Sequence, residues 1–291
     1  MTDDGVPIRR VLAPNPSPLT GTGTNTYIIG QGAVAVIDPG PALPSHLDAI
    51  LASLGPAERV SHILVTHAHR DHSALAPALA ARTGAEVLAF GAATEGRSAI
   101  MERLAPLLPG GGEGLDPDFL PDRRLGKGEL VDGEGWSLRA LHTPGHLGGH
   151  LCFALGETLF SGDHVMGWST TLISPPDGDM GDYVAALVGL RSMAFRRFLP
   201  GHGDAVTDPI NRLEALIRHR QEREAQIRNA LRQGPLDLDR LTRQVYHDIP
   251  PPMLPAATRN ALAHLIDMQS RNQITAEDFP GPAAIFHLTD S

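Results

Sequence analysis

The chain has 291 residues, of which 42% are hydrophobic and 20% are charged, and its net charge is −9 with histidine counted as neutral. This length fits about two domains, and the acidic balance excludes a surface built to wrap duplex DNA. The single cysteine, Cys152, excludes a disulfide framework and any cysteine-rich metal module.

The N-terminal part of the chain carries alternating strand and helix signals. In chain order the predicted elements are a β-hairpin at 24–37, a helix at 45–54, a strand at 61–66, a helix at 72–82 and a strand at 86–90. Ser45 is the predicted N-cap of the first helix. Residues 91–123 are rich in proline and glycine, including Gly110–Gly112, and predict a long loop with one helical piece. Such a loop is typical of a lid or a binding segment.

Strand signals return between residues 129 and 160, followed by a predicted helix at 182–193 and a strand at 195–199. The alternation of strands and helices predicts an α/β domain with two sheet regions and outer helices, which we place at residues 1–207.

The character of the sequence changes at Asp208, an N-cap residue followed by proline at the first helical position. A long helix rich in arginine and glutamate is predicted from there to Gln233, because Gly234-Pro235 ends it. Two further helical segments follow, at 236–246 and 255–269, and short β-prone segments lie near the C-terminus. This order is the outline of a winged helix, so residues 208–291 are predicted to form a separate small domain.

Histidine is the unusual residue of this composition, with 14 copies against one lysine. Four potential metal ligands lie within residues 67–72 (HAHRDH), directly after the strand predicted at 61–66. A loop between a strand and a helix can direct several side chains to one point, because its flanks are rigid. Two imidazoles at i and i+2 can share one ion, and Asp71 and His72 can reach a second. The alternative is a polar loop of solvated side chains, which this density of ligands disfavours.

Three later segments each place one ligand-type residue just past a predicted strand, and these residues are His146, Asp163 and His202. The rim where strands end is the position at which α/β sheets build their sites. Zinc binds imidazole nitrogen and carboxylate oxygen where no thiolate is available. Iron and manganese accept the same ligands and stay open as alternatives.

The HxHxDH segment and the three later ligands resemble the metallo-β-lactamase superfamily over residues 24–204. The resemblance implies a four-layer αβ/βα sandwich and a site for two divalent metal ions. It assigns the first ion to His67, His69 and His146, the second ion to Asp71, His72 and His202, and a bridging position to Asp163.

Two bound ions can activate a hydroxide near neutral pH, so no serine or cysteine nucleophile is needed. Asp71 is expected to help move the proton to the leaving group, and Cys152 is expected to pack in the core. A bridging aspartate is absent from true zinc β-lactamases, so the resemblance favours another substrate. The segments at 167–180 and 247–270 resemble the lactamase-beta-2-like branch, whose winged helix follows the catalytic domain.

That branch includes a single-strand endoribonuclease and thioesterases that release polyketides from carrier proteins. We therefore expect a cytoplasmic dinuclear hydrolase that acts on an ester or thioester, with a small-molecule or acyl-thioester substrate and no membrane contact. The alternatives are an endoribonuclease acting on single-stranded RNA with the same metals, and a mononuclear iron dioxygenase of the persulfide type. A third alternative is a non-enzymatic nucleic-acid binder that uses the winged helix.

Several further residues carry two interpretations. Asp38 either holds a ligand histidine or shapes its own turn, and His164 either contacts substrate or is structural. By position alone, Ser169, Thr170 and Tyr183 are predicted substrate contacts. Trp168 and the loop at 91–123 are predicted to wall the pocket. The arginines of the long helix, which are Arg218, Arg220 and Arg223, alternate with glutamates and predict a solvated face rather than a nucleic-acid track.

Overall fold

The computed structural model describes residues 2–3, 5–108, 114–281 and 283–289. The part of the predicted loop that contains Gly110–Gly112 lies outside the described residues. The strands of the first sheet are β1 (Thr2–Asp3), β2 (Val6–Leu12), β3 (Asn25–Ile29), β4 (Ala33–Ile37), β5 (Arg59–Leu64), β6 (Glu86–Ala89) and β7 (Arg123–Arg124). Those of the second sheet are β8 (Leu130–Gly133), β9 (Trp136–His142), β10 (Leu151–Leu155), β11 (Thr158–Gly162) and β12 (Arg197–Pro200).

The helices are α1 (Pro44–Ala52), α2 (Arg70–Ser73), α3 (Ala76–Thr83), α4 (Ala99–Leu104), α5 (Met180–Arg191), α6 (Pro209–Leu231), α7 (Leu238–Val245) and α8 (Leu254–Ser270). A 3-10 turn at Pro251–Met253 precedes α8. No helix in the described ranges combines the length and the apolar character that a membrane crossing requires.

The sequence predicted most of these elements, but it missed the strands β1 and β2, which precede the predicted hairpin, and it misplaced some element ends. The helix predicted at 45–54 begins at Pro44 with Leu43 as its N-cap, so Ser45 is not the cap. Proline is suited to the first helical turn because its fixed φ is helical and its missing N–H has no partner there. The helix predicted at 72–82 is divided into α2 and α3. The predicted helical piece of the 91–123 loop is α4.

Two sheets packed face to face form the centre of the sandwich. The first follows the order β1-β2-β3-β4-β5-β6-β7 and the second the order β12-β11-β10-β9-β8. Strand residues alternate between the two faces. Ile29 and Phe153 pack between the sheets, whereas Ile28 packs towards α1 and α3 and Cys152 towards α5 and α6. The predicted four-layer αβ/βα sandwich is therefore confirmed, and Cys152 lies fully buried in the core as expected.

The C-terminal unit is a winged helix, as predicted. Helices α7 and α8 pack on a small sheet made of β13 (Leu236–Asp237), β15 (Ile285–Leu288) and β14 (Ile274–Glu277), in that order. Helix α6 contributes Leu213 to the core below the second sheet and Ile227 to the C-terminal core. Because α6 belongs to both cores, the domain boundary at residue 207 stays a prediction.

One buried histidine predicts a pH dependence of stability. His46 on α1 is 1% exposed, its Nε2 lies 2.8 Å from Thr26 Oγ1, and its Nδ1 has no hydrogen-bond partner among the described residues. Burial lowers the pKa of His46 to about 4. Between pH 6.5 and 4 the unfolded chain therefore takes up a proton that the folded chain excludes, so the stabilisation present above pH 6.5 is lost as the pH falls.

Urea unfolding of the wild type and His46→Gln at pH 7 and pH 5 tests this expectation. The stability of the wild type relative to the variant should fall by about 2 kcal/mol between the two pH values. Both proteins are measured under the same metal conditions, so that other titrating groups cancel. Parallel pH profiles would contradict the prediction.

Candidate metal centre

The candidate site lies at the rim where several strands end. Strand β11 runs parallel to β12, and β9 has the same direction because both β9 and β11 are antiparallel to β10. The loops that leave these strands carry His146, Asp163 and His202. In the first sheet, β5 leads into the HAHRDH segment, whose Asp71 and His72 lie on α2. The structure brings all seven predicted ligands together.

Three histidines form the first ligand group, which comprises His67, His69 and His146. The Nε2 atoms of His67 and His146 each lie 3.0 Å from His69 Nδ1. Side-chain nitrogens that converge in this way fit an ion bound through imidazole lone pairs.

Asp71, His72 and His202 form the second ligand group. His202 Nε2 lies 3.2 Å from Asp71 Oδ2 and 3.3 Å from His72 Nε2. Asp163 stands between the two groups: one oxygen is 3.4 Å from His72 Nε2, and the other is 3.3 Å from His202 Nε2 and 3.8 Å from His146 Nε2. A carboxylate in this position can bind an ion in each group. The donor set and its geometry therefore fit two metal ions.

In four of the clustered histidines, Nδ1 donates a hydrogen bond to an acceptor outside the cluster. This contact directs Nε2 of the same ring towards the centre of the cluster. His146 Nδ1 lies 2.8 Å from the Leu172 carbonyl, and His202 Nδ1 lies 3.1 Å from the Gly23 carbonyl. Because a carbonyl can only accept, each Nδ1 carries a proton, and Nε2 is the nitrogen that can present a lone pair to a metal. His69 is oriented the other way, with Nδ1 inward.

Asp38 orients a histidine in each group. Its Oδ2 lies 2.9 Å from His72 Nδ1 and accepts a hydrogen bond from Thr66 Oγ1 at 2.8 Å. Since the Thr66 hydroxyl proton is used there, the hydroxyl oxygen accepts from His67 Nδ1 at 2.9 Å. Of the two interpretations of Asp38, the contact with a predicted ligand histidine is the one observed. The role of Thr66 was missed, although its place between the buried strand and His67 is a usable signal.

The charge state differs between the two groups. Burial lowers the pKa of His67 and His146, and lowers that of His69 to about 3, so the first group is neutral near pH 7. Burial also opposes protonation of His202, but Asp163 and Asp71 outweigh it and raise its pKa to about 9. The second group therefore holds protons that a metal has to displace, and metal uptake there releases them.

The metal centre opens into a cavity of about 540 Å³. Ser169 and Thr170 line it, in agreement with their prediction as substrate contacts. Tyr183 is fully buried and does not line the cavity, so the same prediction is wrong for that residue. His164 is also fully buried, with its ring 4.9 Å from that of Tyr183, so its structural interpretation is the correct one.

The predicted cavity walls need correction as well. Trp168 is absent from the lining; it is 46% exposed and packs over Gly21 and Gly203. Among the described residues of the loop at 91–123, Gly114 alone reaches the cavity. A position beside a site in the sequence does not determine where a large side chain points, and both predictions rested on position.

Helix α6 is predicted to present its arginines to solvent, and the structure contradicts this prediction for Arg220 and Arg223. Arg218 is exposed, but Arg220 is 3% exposed, and His219, Arg220 and Arg223 line the cavity. A signal for this was present, because Arg220 falls in the helical stripe of buried residues that includes Leu216 and Ile227.

The sandwich and the His/Asp cluster at its rim define an enzyme of the metal-dependent hydrolase class. Residues 19–241 match the family model described as the Metallo-beta-lactamase superfamily. The chain belongs to this superfamily. Residues 238–279 match the Beta-lactamase associated winged helix domain, which confirms the predicted winged helix.

Two curated relatives share much of the chain. The Beta-lactamase-like protein 2 homolog of Drosophila melanogaster is 31% identical over an alignment of 278 residues, which covers 91% of this chain and 88% of the relative. The Atrochrysone carboxyl ACP thioesterase of Cryptosporiopsis sp. is 32% identical over 228 residues. That match covers 77% of this chain and 62% of the fungal relative, so the chain spans less than two thirds of the latter.

Solved structures extend the likeness of fold. A metallo-beta-lactamase family protein from Thermus thermophilus has a TM-score of 0.77 at 23% identity, covering 97% of this chain and 98% of its own. A protein solved in a di-iron-bound form is 28% identical with a TM-score of 0.53, covering 70% of this chain and 96% of its own. The first of these shows the same fold along nearly the whole chain.

Proposed function

We propose that the protein is a dinuclear metal-dependent hydrolase that cleaves an ester or thioester. The observation that carries the proposal is the Asp163 carboxylate, which lies between the two ligand groups and also faces the cavity. The relative named as an acyl-carrier-protein thioesterase supports a thioester substrate. The cytoplasmic location expected from the sequence stays a prediction.

When bound, two divalent ions would supply Lewis acidity and lower the pKa of a water molecule towards neutrality. The first ion would be held by His67, His69 and His146, the second by Asp71, His72 and His202, and both by Asp163. Zinc suits these ligands, and iron and manganese are alternatives. The similar protein solved in a di-iron-bound form supports iron.

Asp71 is the proposed proton carrier. Its side chain is 28% exposed and lines the cavity, so it can meet a leaving group. Burial favours its neutral form, but His72 and His202 outweigh this effect and lower its pKa to about 2. It therefore stands ionised near pH 7, and a carboxylate of this pKa can hold a proton only transiently on its way to the leaving group. Cys152 takes no part, because it is fully buried and burial raises the pKa of its thiol to about 12.

Metal analysis joined to a substrate panel tests the proposal. We expect about two divalent ions per chain and chelator-sensitive hydrolysis of S-acyl pantetheine or aryl esters. His67→Ala should lose metal, and its turnover should fall at least about a hundredfold, because even residues that only orient metal ligands contribute 10- to 100-fold to metal affinity or activity. The C-terminal unit of this variant should stay folded. His247→Ala, at an exposed histidine, is the matched control.

Other outcomes would assign another function. A single iron per chain without hydrolysis would favour the persulfide-type dioxygenase. Cleavage of unstructured RNA with no thioester or ester turnover would favour the endoribonuclease. Full turnover in the His67→Ala variant would refute the assignment of the site.

A further inference from the structure

The C-terminal unit and α6 supply a cationic wall to the cavity that contains the metal centre. Arg223 follows Arg220 by three residues and His219 by four, so it is a neighbour of both on the surface of α6, and all three side chains line the cavity. Tyr246 and Asn260, from the C-terminal unit, line the cavity beside them. None of these five residues belongs to the proposed metal ligands, so the presence of cationic side chains in this wall needs a separate explanation.

Arg220 is almost wholly buried, yet its donors are only partly used. One Nη2 hydrogen bond goes to the Thr171 carbonyl, and the guanidinium lies 5.1 Å from the centre of the Tyr183 ring. Its Nε has no hydrogen-bond partner among the described residues. No carboxylate in the described ranges forms an ion pair with it.

Arg223 is fixed in a similar way. Its guanidinium lies 4.2 Å from the centre of the Tyr246 ring, and Nη1 donates to the Val245 carbonyl at 2.7 Å. A further contact of Nη1 is with the neutral Gln226 side chain at 2.9 Å. Within the described chain Arg223 also lacks an ion pair, so two guanidinium charges face one cavity without a counter-ion.

The nearby carboxylates are committed elsewhere. Glu224, on the same helix, pairs with Arg228 and Arg271 at 2.6 and 2.7 Å. Asp71 and Asp163, which line the same cavity, belong to the ligand groups. A buried charge without a partner is costly to maintain, and rigid forked guanidinium groups match the oxygens of carboxylates and phosphates.

We infer that Arg220 and Arg223 bind an anionic group of the substrate, a phosphate or a carboxylate, while the scissile bond lies at the metal centre. This inference rests on the proposed hydrolase function, because it assigns a substrate class to that site. The anionic group has two sources in a thioester: the phosphate of a phosphopantetheine arm or a carboxylate on the acyl chain.

Two matched substrate pairs distinguish these sources. S-acyl 4′-phosphopantetheine and S-acyl pantetheine differ by the phosphate, and S-glutaryl and S-pentanoyl pantetheine differ by the acyl carboxylate. We expect the wild type to prefer the anionic member of at least one pair. Arg220→Gln and Arg223→Gln should each reduce that kcat/KM preference roughly tenfold to a hundredfold, the range for hydrogen bonds to charged groups. Arg218→Gln, on the exposed face of α6, should retain it.

A binding measurement separates this inference from the proposed function. Calorimetry on the metal-free protein compares phosphopantetheine with pantetheine, and glutarate with pentanamide, in the wild type and the three variants. Anion binding that depends on Arg220 or Arg223 without any hydrolysis would retain the subsite and overturn the hydrolase proposal. Since Arg220→Gln can weaken packing on Thr171, Arg223→Gln provides an independent test.

Three results would overturn the inference. One is hydrolysis with the same kcat/KM for both members of each pair. Another is an anion preference that both variants keep. The third is tighter binding of an oligoribonucleotide than of phosphopantetheine to the same arginines, which would assign the wall to a nucleic-acid backbone.

Discussion

Replacement of Asp163 by Asn is expected to abolish hydrolysis and to reduce the bound metal to fewer than two ions per chain. Asp163 approaches both groups, at 3.3 Å from His202 and 3.8 Å from His146. The asparagine side chain is neutral, and in place of one carboxylate oxygen it carries an NH₂ group, which is a hydrogen-bond donor and cannot bind a cation. Loss of partners that merely orient metal ligands costs 10- to 100-fold, so this loss should exceed about a hundredfold.

Metal stoichiometry, turnover and urea unfolding of Asp163→Asn should be measured together. Asp132→Asn, at an exposed aspartate on β8, controls for loss of one negative charge and should bind and turn over as the wild type does. The folded state of Asp163→Asn should persist, because asparagine has nearly the size of aspartate and the hydrophobic side chains that pack on the two sheets are unchanged. Two bound ions with undiminished turnover would remove Asp163 from its bridging role.

The sequence predicted which histidines and aspartates gather at one rim because each of them follows a strand, and strand ends are local features. Asp38 could be read either way, because its contact with His72 joins residues 34 positions apart. The contact of Thr66 with His67 is local, but threonine beside a strand has many uses. Local sequence patterns therefore predict which ligand-type residues a segment carries and at which edge of the sheet that segment lies.

The cavity walls could not be predicted in the same way. Arg220 was assigned to solvent because its helix is rich in charge, and its burial depends on tertiary contacts such as those with Tyr183 and Thr171. Tyr183 and Trp168 were placed in the pocket because they are close to the ligands in sequence. The direction of a side chain depends on contacts with distant segments, and those contacts decide which residues meet the substrate.

Gly201 offers a second decisive test, because it lies beside two proposed metal ligands and is not itself a proposed ligand. A Cβ at this position would lie 2.5 Å from His72 Cε1 and 2.6 Å from Asp163 Oδ1. Both distances are shorter than carbon atoms tolerate, and the two neighbours are held by Asp38 and by the rest of the ligand cluster. The added methyl group therefore has to displace the second ligand group or the bridging carboxylate.

Gly201→Ala is expected to retain its fold, to lose the second ion and to lose at least about a hundredfold in turnover, as expected when metal ligands are misplaced. Overpacking at a buried site costs about 1–3 kcal/mol, which urea unfolding measures. The control is Gly189→Ala on α5, where a Cβ meets no heavy atom within 4 Å. That variant should be more stable by about 0.5–1 kcal/mol and fully active. If Gly201→Ala binds two ions and turns over normally, the ligand positions assigned to His72 and Asp163 are wrong, because a methyl group cannot occupy this space while both side chains remain in place.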